Sequence, residues 1–241
     1  MSLLANYISR IEIHGLWQRY NVNWDLRPDV NILSGMNGIG KTTILNQMLE
    51  HLSADHIQIR NGGNDPQQPD IRITFDDPRA DEIHFDVIRT YAYPSLQQDK
   101  LWKLADGYAT LYAHPDSALR FQNTVDRFFA YTGKKLDRET AVMQFIQGDD
   151  VITLDKLSSG EKQLLIMMLT MLMLHNESCV VFMDEPEVSL HIEWQQKLIG
   201  MMRELNPHAQ LILATHSPAI FMDGWMDAVT EMSDIITSVN P

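Results

Sequence analysis

The segment "GMNGIGKTT", which begins at Gly35, combines closely spaced glycines with a lysine and two threonines. It fits the pattern G-x-x-x-x-G-K-[ST] in full, after a predicted strand and at the start of a predicted helix, as that pattern requires. Its glycines let backbone N–H groups surround the α and β phosphates, Lys41 reaches the β and γ phosphates, and the Thr42 hydroxyl is an expected Mg²⁺ ligand. The segment therefore predicts binding of a nucleoside triphosphate. The expected contact residues are Gly35, Asn37, Gly38, Gly40, Lys41, Thr42 and Thr43.

Two carboxylates follow the apolar run "VVFM" directly, in "VVFMDEPE". Asp184 would hold Mg²⁺, directly or through water, because a hard cation prefers carboxylate and water oxygens. Glu185 is the expected general base for the attacking water. The alternative is a pair of surface acids after a strand, which the phosphate-binding segment upstream disfavours.

A single histidine, His216, ends the apolar run in "LATHSP". A lone histidine is often structural. At the carboxyl end of a strand beside a phosphate site, however, it is placed to sense a γ phosphate or to orient water. We therefore expect His216 to act with Lys41 and Glu185 in catalysis.

The polar turn in "DKLSSGEKQLL", residues 155 to 165, leads into an apolar run. Ser and Gly before a helix supply outward-pointing N–H groups and a hydroxyl, and a helix N-terminus favours an anion. The turn could hold a phosphate. It could equally be an ordinary N-cap made by Ser158 or Ser159.

These residues must be positioned by strands and helices, and the apolar patterns predict which. "DVNILSG" is a predicted strand and "KTTILNQMLEHL" a predicted helix, joined by the phosphate-binding segment. "CVVFMD" and "QLILATHS" are continuous apolar runs typical of parallel strands buried on both faces, with a predicted helix between them. This order indicates a doubly wound α/β sheet with its chemistry at the carboxyl ends of the strands.

The remaining segments predict an antiparallel part and a helical part. The alternating runs "IRITF" and "EIHFDVIRTYAY" predict an antiparallel hairpin, and "VMQFIQ" with "VITL" a second one. The run at 164–174 predicts a central buried helix. Residues 61–70 are a predicted loop, residues 97–140 are predicted to be mainly helical, and the core candidates there are Leu119, Val125, Phe128 and Phe129.

Composition narrows the class of protein. The chain of 241 residues carries a formal charge of −13. This negative charge repels the phosphate backbone of nucleic acids and so opposes indiscriminate binding to them. Cys179, the single cysteine, fits a reducing compartment and a buried position. The N-terminal residues lack the features of a signal peptide, and the longest apolar run falls short of the roughly 18 residues that span a bilayer. We expect a soluble, cytoplasmic protein.

Five motifs in order, "GMNGIGKT", "LSSGEKQ", "VVFMDEPE", "EVSLH" and "ATHSP", resemble those of the ATP-binding cassette (ABC) superfamily over nearly the whole chain from residue 8. The resemblance implies ATP and Mg²⁺ as ligands, and a head-to-tail dimer in which each ATP lies between the phosphate loop of one subunit and the signature turn of the other. It identifies Ser158, Gly160 and Glu161 as nucleotide-binding residues of that turn. Ser158 and Gly160 would bind the γ phosphate of the partner's ATP.

The resemblance carries over to three further positions. Ser189 in "EVSLH" corresponds to the loop that touches the partner subunit. The glutamine that couples Mg²⁺ to the helical region corresponds to Gln97 or Gln98, with no clean motif around either. The aromatic residue that stacks on adenine corresponds to Trp17 or Tyr20, although core packing explains a tryptophan there equally well.

"LSSGE" departs from the "LSGGQ" usual in transporters and looks like the soluble branch: RecF, the ATPase heads of SMC-like repair proteins and the ATPase halves of OLD-type nucleases. Those families insert a coiled coil or lever before the signature, and this chain has no sustained heptads. It resembles a compact "AAA family ATPase" of bacterial defence or genome-maintenance operons. The implied fold is a P-loop NTPase core of mainly parallel sheet with flanking helices, an antiparallel β subdomain and a helical insertion carrying the signature turn.

The sequence predicts one ABC-type ATPase domain over residues 1–241. Its parts are a phosphate-loop core with the β subdomain (1–96), the helical insertion with hairpin and signature turn (97–163), and the core with the catalytic carboxylates and His216 (164–241). The leading hypothesis is an ATP-dependent homodimer that controls an effector such as a nuclease, in DNA maintenance or antiviral defence, without membrane insertion. The alternatives are the ATP-binding subunit of a transporter and a non-hydrolysing ATP-bound module. Direct binding of nucleic acid stays open, since the acidic composition opposes it and the resemblance supports it.

Overall fold

A computed structural model describes residues 3–56, 69–89, 94–108, 115–140, 142–175 and 177–239. The strands are β1 (Leu4–Ala5), β2 (Ile8–Leu16), β3 (Tyr20–Asp25), β4 (Val30–Ser34), β5 (Asp70–Phe75), β6 (Glu82–Ile83), β7 (Phe85–Arg89), β8 (Lys135–Leu136), β9 (Phe145–Gln147), β10 (Asp150–Ile152), β11 (Cys179–Asp184), β12 (Ala209–Thr215), β13 (Val229–Glu231) and β14 (Ile236–Ser238). The helices are α1 (Lys41–His56), α2 (Pro94–Tyr108), α3 (Pro115–Phe129), α4 (Ser159–Met173), α5 (Ile192–Leu205) and α6 (Met232–Ile235).

Contacts within the chain divide it into two compact units. The first unit is formed by Met1–Val87, Ser178–Glu185 and Ala209–Pro241. The second unit is formed by Ile88–Glu177 and Pro186–His208. Each unit is therefore assembled from segments that are distant in sequence.

The first unit contains a five-stranded sheet in the order β13-β4-β12-β11-β7. The pairs β13–β4, β4–β12 and β12–β11 are parallel. Strands β4 and β12 are buried throughout and β11 nearly so, which confirms the predicted parallel strands covered on both faces. Helix α1 packs on β11 and β12. Cys179 is buried at the start of β11, as predicted.

A second sheet of the first unit has the order β14-β3-β2-β5, with antiparallel pairing throughout. Its buried residues join those of α1 and the parallel sheet in one apolar core, which includes Ile11, Trp24, Ile44 and Phe182. The predicted antiparallel β subdomain is therefore present. Burial of this shared apolar surface is what stabilises the sheet against the helix.

The predicted hairpin between "IRITF" and "EIHFDVIRTYAY" is wrong. Strand β5 lies beside β2, whereas β7 forms the edge of the parallel sheet, where the Phe85 ring meets Phe182 edge-on with centroids 6.2 Å apart. Alternation shows that a strand has one buried face, but it does not identify the neighbouring strand. The end of the second run, residues 90–93, and most of the predicted loop at 61–70 lie outside the described residues.

The second unit is mainly helical, as predicted for residues 97–140. Helix α4 is buried on nearly all sides and packs against α2, α3 and α5, which confirms the predicted central helix. Strands β8, β9 and β10 form an antiparallel sheet, and the β9–β10 hairpin is the second predicted hairpin. In the described ranges, no helix is long and apolar enough to cross a membrane.

One predicted core residue of the helical region is wrong. Val125, Phe128 and Phe129 are buried, whereas Leu119 is 51% exposed. The buried side chains of α3 follow helical spacing through Phe121 and Val125, and Leu119 lies outside that stripe. The spacing of the apolar residues, rather than their number, decides which of them are covered.

Candidate nucleotide-binding site

The phosphate loop, residues 35–40, connects the end of β4 to the start of α1. Its three glycines have positive φ angles, a conformation that side-chain-bearing residues rarely adopt. Lys41 is 5% exposed, and its Nζ donates hydrogen bonds to the carbonyl oxygens of Gly35 (2.8 Å) and Met36 (3.1 Å). The loop thus curls around an ammonium group at a helix N-terminus, which is the arrangement that suits a phosphate.

An aromatic ring lies against the phosphate loop. Trp17 is at the turn between β2 and β3, is 47% exposed, and has a φ of +51°. A Cβ atom at Gly40 would lie 2.2 Å from Cη2 of this indole, and the Gly40 φ is +107°. The backbone conformation therefore favours glycine at position 40, and a larger residue there would also have to displace the tip of the indole ring. Tyr20 meets Trp17 edge-on, with centroids 6.2 Å apart.

The expected magnesium ligands lie next to each other. The Thr42 hydroxyl donates a hydrogen bond of 2.9 Å to Asp184 Oδ1. In the parallel register, Ser34 at the end of β4 is opposite Thr215 of β12, and Ala214 of β12 is opposite Asp184 of β11. The carboxyl ends of three strands therefore meet at one edge. A hydroxyl and a carboxylate are oxygen donors that fit Mg²⁺ together with phosphate oxygens.

The candidate catalytic pair follows these strands. Glu185 Oε1 lies 3.5 Å from His216 Nδ1, and both side chains are partly exposed, 38% and 41%. Glu185 has a φ of +46°, while its backbone N–H donates to the carbonyl oxygen of Ala214 at 2.8 Å. A left-handed conformation at a side-chain-bearing residue is uncommon and costs free energy, so the fold holds this carboxylate in a defined place.

The signature turn, residues 157–161, belongs to the second unit. Ser158 is the N-cap of α4, with an extended backbone, and its Oγ accepts a hydrogen bond from the Glu161 N–H at 3.3 Å. Glu161 Oε2 in return accepts from the Ser158 N–H at 2.9 Å, which completes a capping box. The N-cap hypothesis is thus confirmed for Ser158 rather than Ser159. Both serines remain exposed at the helix N-terminus.

Glu161 is buried and paired with a lysine that the sequence did not reveal. Lys134 Nζ donates to Glu161 Oε1 at 2.7 Å. Burial by itself raises the pKa of Glu161, but hydrogen bonds from Lys134, Ser158 and Thr132 outweigh it, so the net pKa is lowered. No local pattern could have found Lys134, because 27 positions separate the two residues.

Gly160 and Ser189 approach each other closely within the second unit. A Cβ atom at Gly160 would lie 2.3 Å from the Ser189 carbonyl oxygen, and Ser189 has a φ of +68°. The side chain of Trp194 also borders Gly160 and donates through Nε1 to the Phe128 carbonyl oxygen at 3.1 Å. Packing by itself is therefore sufficient to require glycine at position 160.

Four further predicted site residues lie in α2, the phosphate loop and α1. Gln97 and Gln98 both belong to α2, and the Gln97 side chain lies outside the described residues. The Gln98 Nε2 atom is buried and has no hydrogen-bond partner within the described part of the chain. Asn37 and Thr43 lie in the phosphate loop and the first turn of α1, as predicted.

Comparison with known proteins gives relatives of two kinds. The chain is 32% identical over 89 residues to "Retron Vc95 probable ATPase" of Vibrio cholerae serotype O1 biovar El Tor, which covers 32% of this chain and 17% of that protein. The chain therefore spans a small part of this relative's length. The fold is similar to an SMC head bound to the C-winged helix domain of ScpA (TM-score 0.55, 14% identity, 97% of each chain). It is also similar to the SMC head domain from Thermotoga maritima (TM-score 0.52, 14% identity, 97% of this chain and 99% of that one).

The solved structures show the shared fold, and a match to a family model shows the family. A family model described as "AAA domain, putative AbiEii toxin, Type IV TA system" matches residues 30–223, which is most of the chain. The match includes the phosphate loop, the signature turn, Asp184, Glu185 and His216. The chain therefore belongs to this family, and its fold is that of an ABC-type P-loop ATPase.

Proposed function

We propose that this chain binds and hydrolyses ATP with Mg²⁺, and that ATP drives head-to-tail dimerisation. The observation that supports it best is the 2.9 Å hydrogen bond between Thr42 and Asp184, beside the Glu185–His216 pair. A hydroxyl, a magnesium-binding carboxylate and a candidate base at the ends of adjacent strands are the groups that phosphoryl transfer to water requires.

In the proposed hydrolysis, each site residue of the first unit has a separate role. Lys41 exchanges its bonds to the loop carbonyls for bonds to β and γ phosphate oxygens, which are stronger acceptors because they are charged. Glu185 accepts a proton from the attacking water, and His216 orients that water or contacts the γ phosphate. Thr42 and Asp184 would hold Mg²⁺, which would neutralise charge on the phosphate oxygens. Trp17 stacks on the adenine.

In the proposed dimer, each ATP lies between the phosphate loop of one subunit and the signature turn of the partner subunit. Ser158 and Ser159 are exposed at the start of α4, a 15-residue helix. The first N–H groups of an α-helix have no carbonyl partner within the helix itself. A helix N-terminus carries partial positive charge and favours an anion. We infer that Ser158 and Gly160 bind the γ phosphate of the partner's ATP, with Glu161 supporting the turn.

We further propose that the ATP-dependent dimer is a switch for a partner effector in antiviral defence. The family description, which mentions a toxin and a toxin–antitoxin system, and the name of the retron relative support this role. One similar SMC head is bound to a domain of ScpA, which supports regulation by a bound protein. The charge of −13 disfavours a broad nucleic-acid surface, so we place the output of the switch in the partner.

The test is sedimentation velocity of Glu185→Gln with and without Mg·ATP, together with phosphate release by the wild-type chain. A monomer-to-dimer shift that Ser158→Arg abolishes, and wild-type turnover that Glu185→Gln abolishes, are the expected results. A protein that binds ATP tightly but never turns it over would support the non-hydrolysing module instead. A protein that hydrolyses ATP while remaining monomeric would contradict the proposed head-to-tail dimer.

A further inference from the structure

One buried carboxylate is bonded both to the signature serine and to a lysine. Glu161 Oε2 lies 3.0 Å from Ser158 Oγ, and Glu161 Oε1 lies 2.7 Å from Lys134 Nζ. The side chains of Glu161 and Lys134 are 3% and 13% exposed. The three groups form a continuous chain from the ammonium to the hydroxyl at the helix N-terminus.

A negative charge in this position conflicts with the proposed ligand. A γ phosphate bound by Ser158 would lie within a few ångströms of the Glu161 carboxylate, and like charges at such separations repel strongly where water is scarce. The same carboxylate also competes for the Ser158 hydroxyl proton, which the phosphate needs. A buried carboxylate therefore requires a counter-charge before this turn can accept an anion.

The backbone holds Lys134 where it can supply that charge. Gly133 takes a left-handed conformation, with a φ of +70°, at the end of a short 3₁₀ turn. The next N–H, that of Lys134, donates to the Phe129 carbonyl oxygen at 3.1 Å. The chain is therefore fixed on the N-terminal side of Lys134, and its long side chain is covered along most of its length.

We propose that Lys134 is a positioning residue for the signature turn: it neutralises Glu161, and thereby allows Ser158 to bind the phosphate of a partner's ATP. This inference rests on the proposed function of the turn. It assigns a role to a residue outside the five motifs, and it explains how a glutamate can stand beside a phosphate-binding serine.

The test compares Lys134→Met, Glu161→Gln, the double variant and Lys135→Met. Lys135 is the adjacent exposed lysine and serves as the matched control. We expect Lys134→Met to weaken ATP-induced dimerisation and to lower kcat by about tenfold or more, since it leaves a buried charge uncompensated. ATP affinity of the monomer should not change, because the phosphate loop is untouched. Lys134→Arg should retain function, and adding Glu161→Gln to Lys134→Met should restore it.

The outcomes separate this inference from the proposed function. If the wild-type chain dimerises and hydrolyses ATP but Lys134→Met behaves like wild type, the role of Lys134 is overturned. The same holds if the double variant is as impaired as Lys134→Met, because the loss would then not arise from charge. If Lys134→Met does not fold, the comparison of Glu161→Gln with the double variant decides: a tenfold gap between them overturns the inference. A wild-type chain that neither dimerises nor hydrolyses ATP overturns the proposed function, and the role of Lys134 with it.

Discussion

The Thr42 hydroxyl donates a 2.9 Å hydrogen bond to Asp184, although 142 positions separate the two residues in the chain. Thr42 lies in the first turn of α1, which follows β4, and Asp184 ends β11, which is separated from β4 by β12 in the sheet. Parallel pairing aligns the carboxyl ends of these strands and so brings the two oxygen donors together. We therefore expect the proposed ATPase to require Mg²⁺, since a hydroxyl and a carboxylate oxygen suit that cation.

Replacing Asp184 by Asn should weaken magnesium-dependent ATP binding by about tenfold or more, since a neutral amide is a poorer ligand for a hard cation. Calorimetric titration with Mg·ATP measures the effect. The internal control is titration with ATP and excess EDTA, in which wild-type chain and variant should bind alike. Equal loss in both titrations would mean that Asp184 acts through folding and not through the metal.

Replacing Glu185 by Gln should lower the rate of phosphate release by roughly 10²-fold or more, because the amide cannot accept the proton of the attacking water. ATP affinity should be retained. Glu193→Gln, at an exposed position of α5, is the matched control. Turnover near the wild-type rate in Glu185→Gln would remove this residue from catalysis.

Replacing Trp17 by Ala should reduce ATP affinity by roughly tenfold, the effect of losing one base–aromatic stack, and Trp17→Phe should retain most of it. Trp102, an exposed tryptophan of α2, provides the control substitution. Binding of inorganic triphosphate distinguishes stacking from disturbance of the phosphate loop at Gly40. If triphosphate affinity falls as much as ATP affinity, Trp17 shapes the loop and does not hold the adenine.

Replacing Gln210 by Met should lower the free energy of unfolding by about 3 kcal/mol, because several buried backbone groups lose their partner. The Gln210 side chain is fully buried; it accepts from the Ile8 N–H at 2.9 Å and donates to the carbonyl oxygens of Ile8 and Arg27. Urea unfolding of this variant and of Gln196→Met, at an exposed position, provides the comparison. Equal stabilities of the two variants would contradict the assigned role.

The Lys134–Glu161 pair should make stability depend on pH in the acid range. The pKa of Glu161 is below its ordinary value of 4.5 in the folded chain, so the unfolded chain binds the proton first as pH falls. The stabilisation is therefore fully present above pH 4.5 and is lost as the pH falls below it, through the folded-state pKa. Thermal unfolding of wild type and Glu161→Gln should differ less at low pH than at neutral pH. A constant difference would show that Glu161 does not titrate in this way.

Much of the fold was predictable because its signals are local. The buried strands β11 and β12 and the all-apolar helix α4 each follow from a run of neighbouring residues. The predicted hairpin between β5 and the following run was wrong because alternation indicates which face of a strand is buried but does not identify the neighbouring strand. The prediction that Leu119 lies in the core was wrong because the apolar character of a side chain does not give the direction in which it points from the helix.

The sequence by itself determined the order of the five motifs and the residue types that suit a phosphate and a magnesium ion. Those properties depend on backbone freedom and side-chain chemistry over a few adjacent positions. The tertiary structure alone decided that Trp17 lies on Gly40, that Thr42 meets Asp184, and that Lys134 pairs with Glu161. Such contacts join residues distant in the chain, and they depend on how competing apolar surfaces pack, a choice that no local pattern contains.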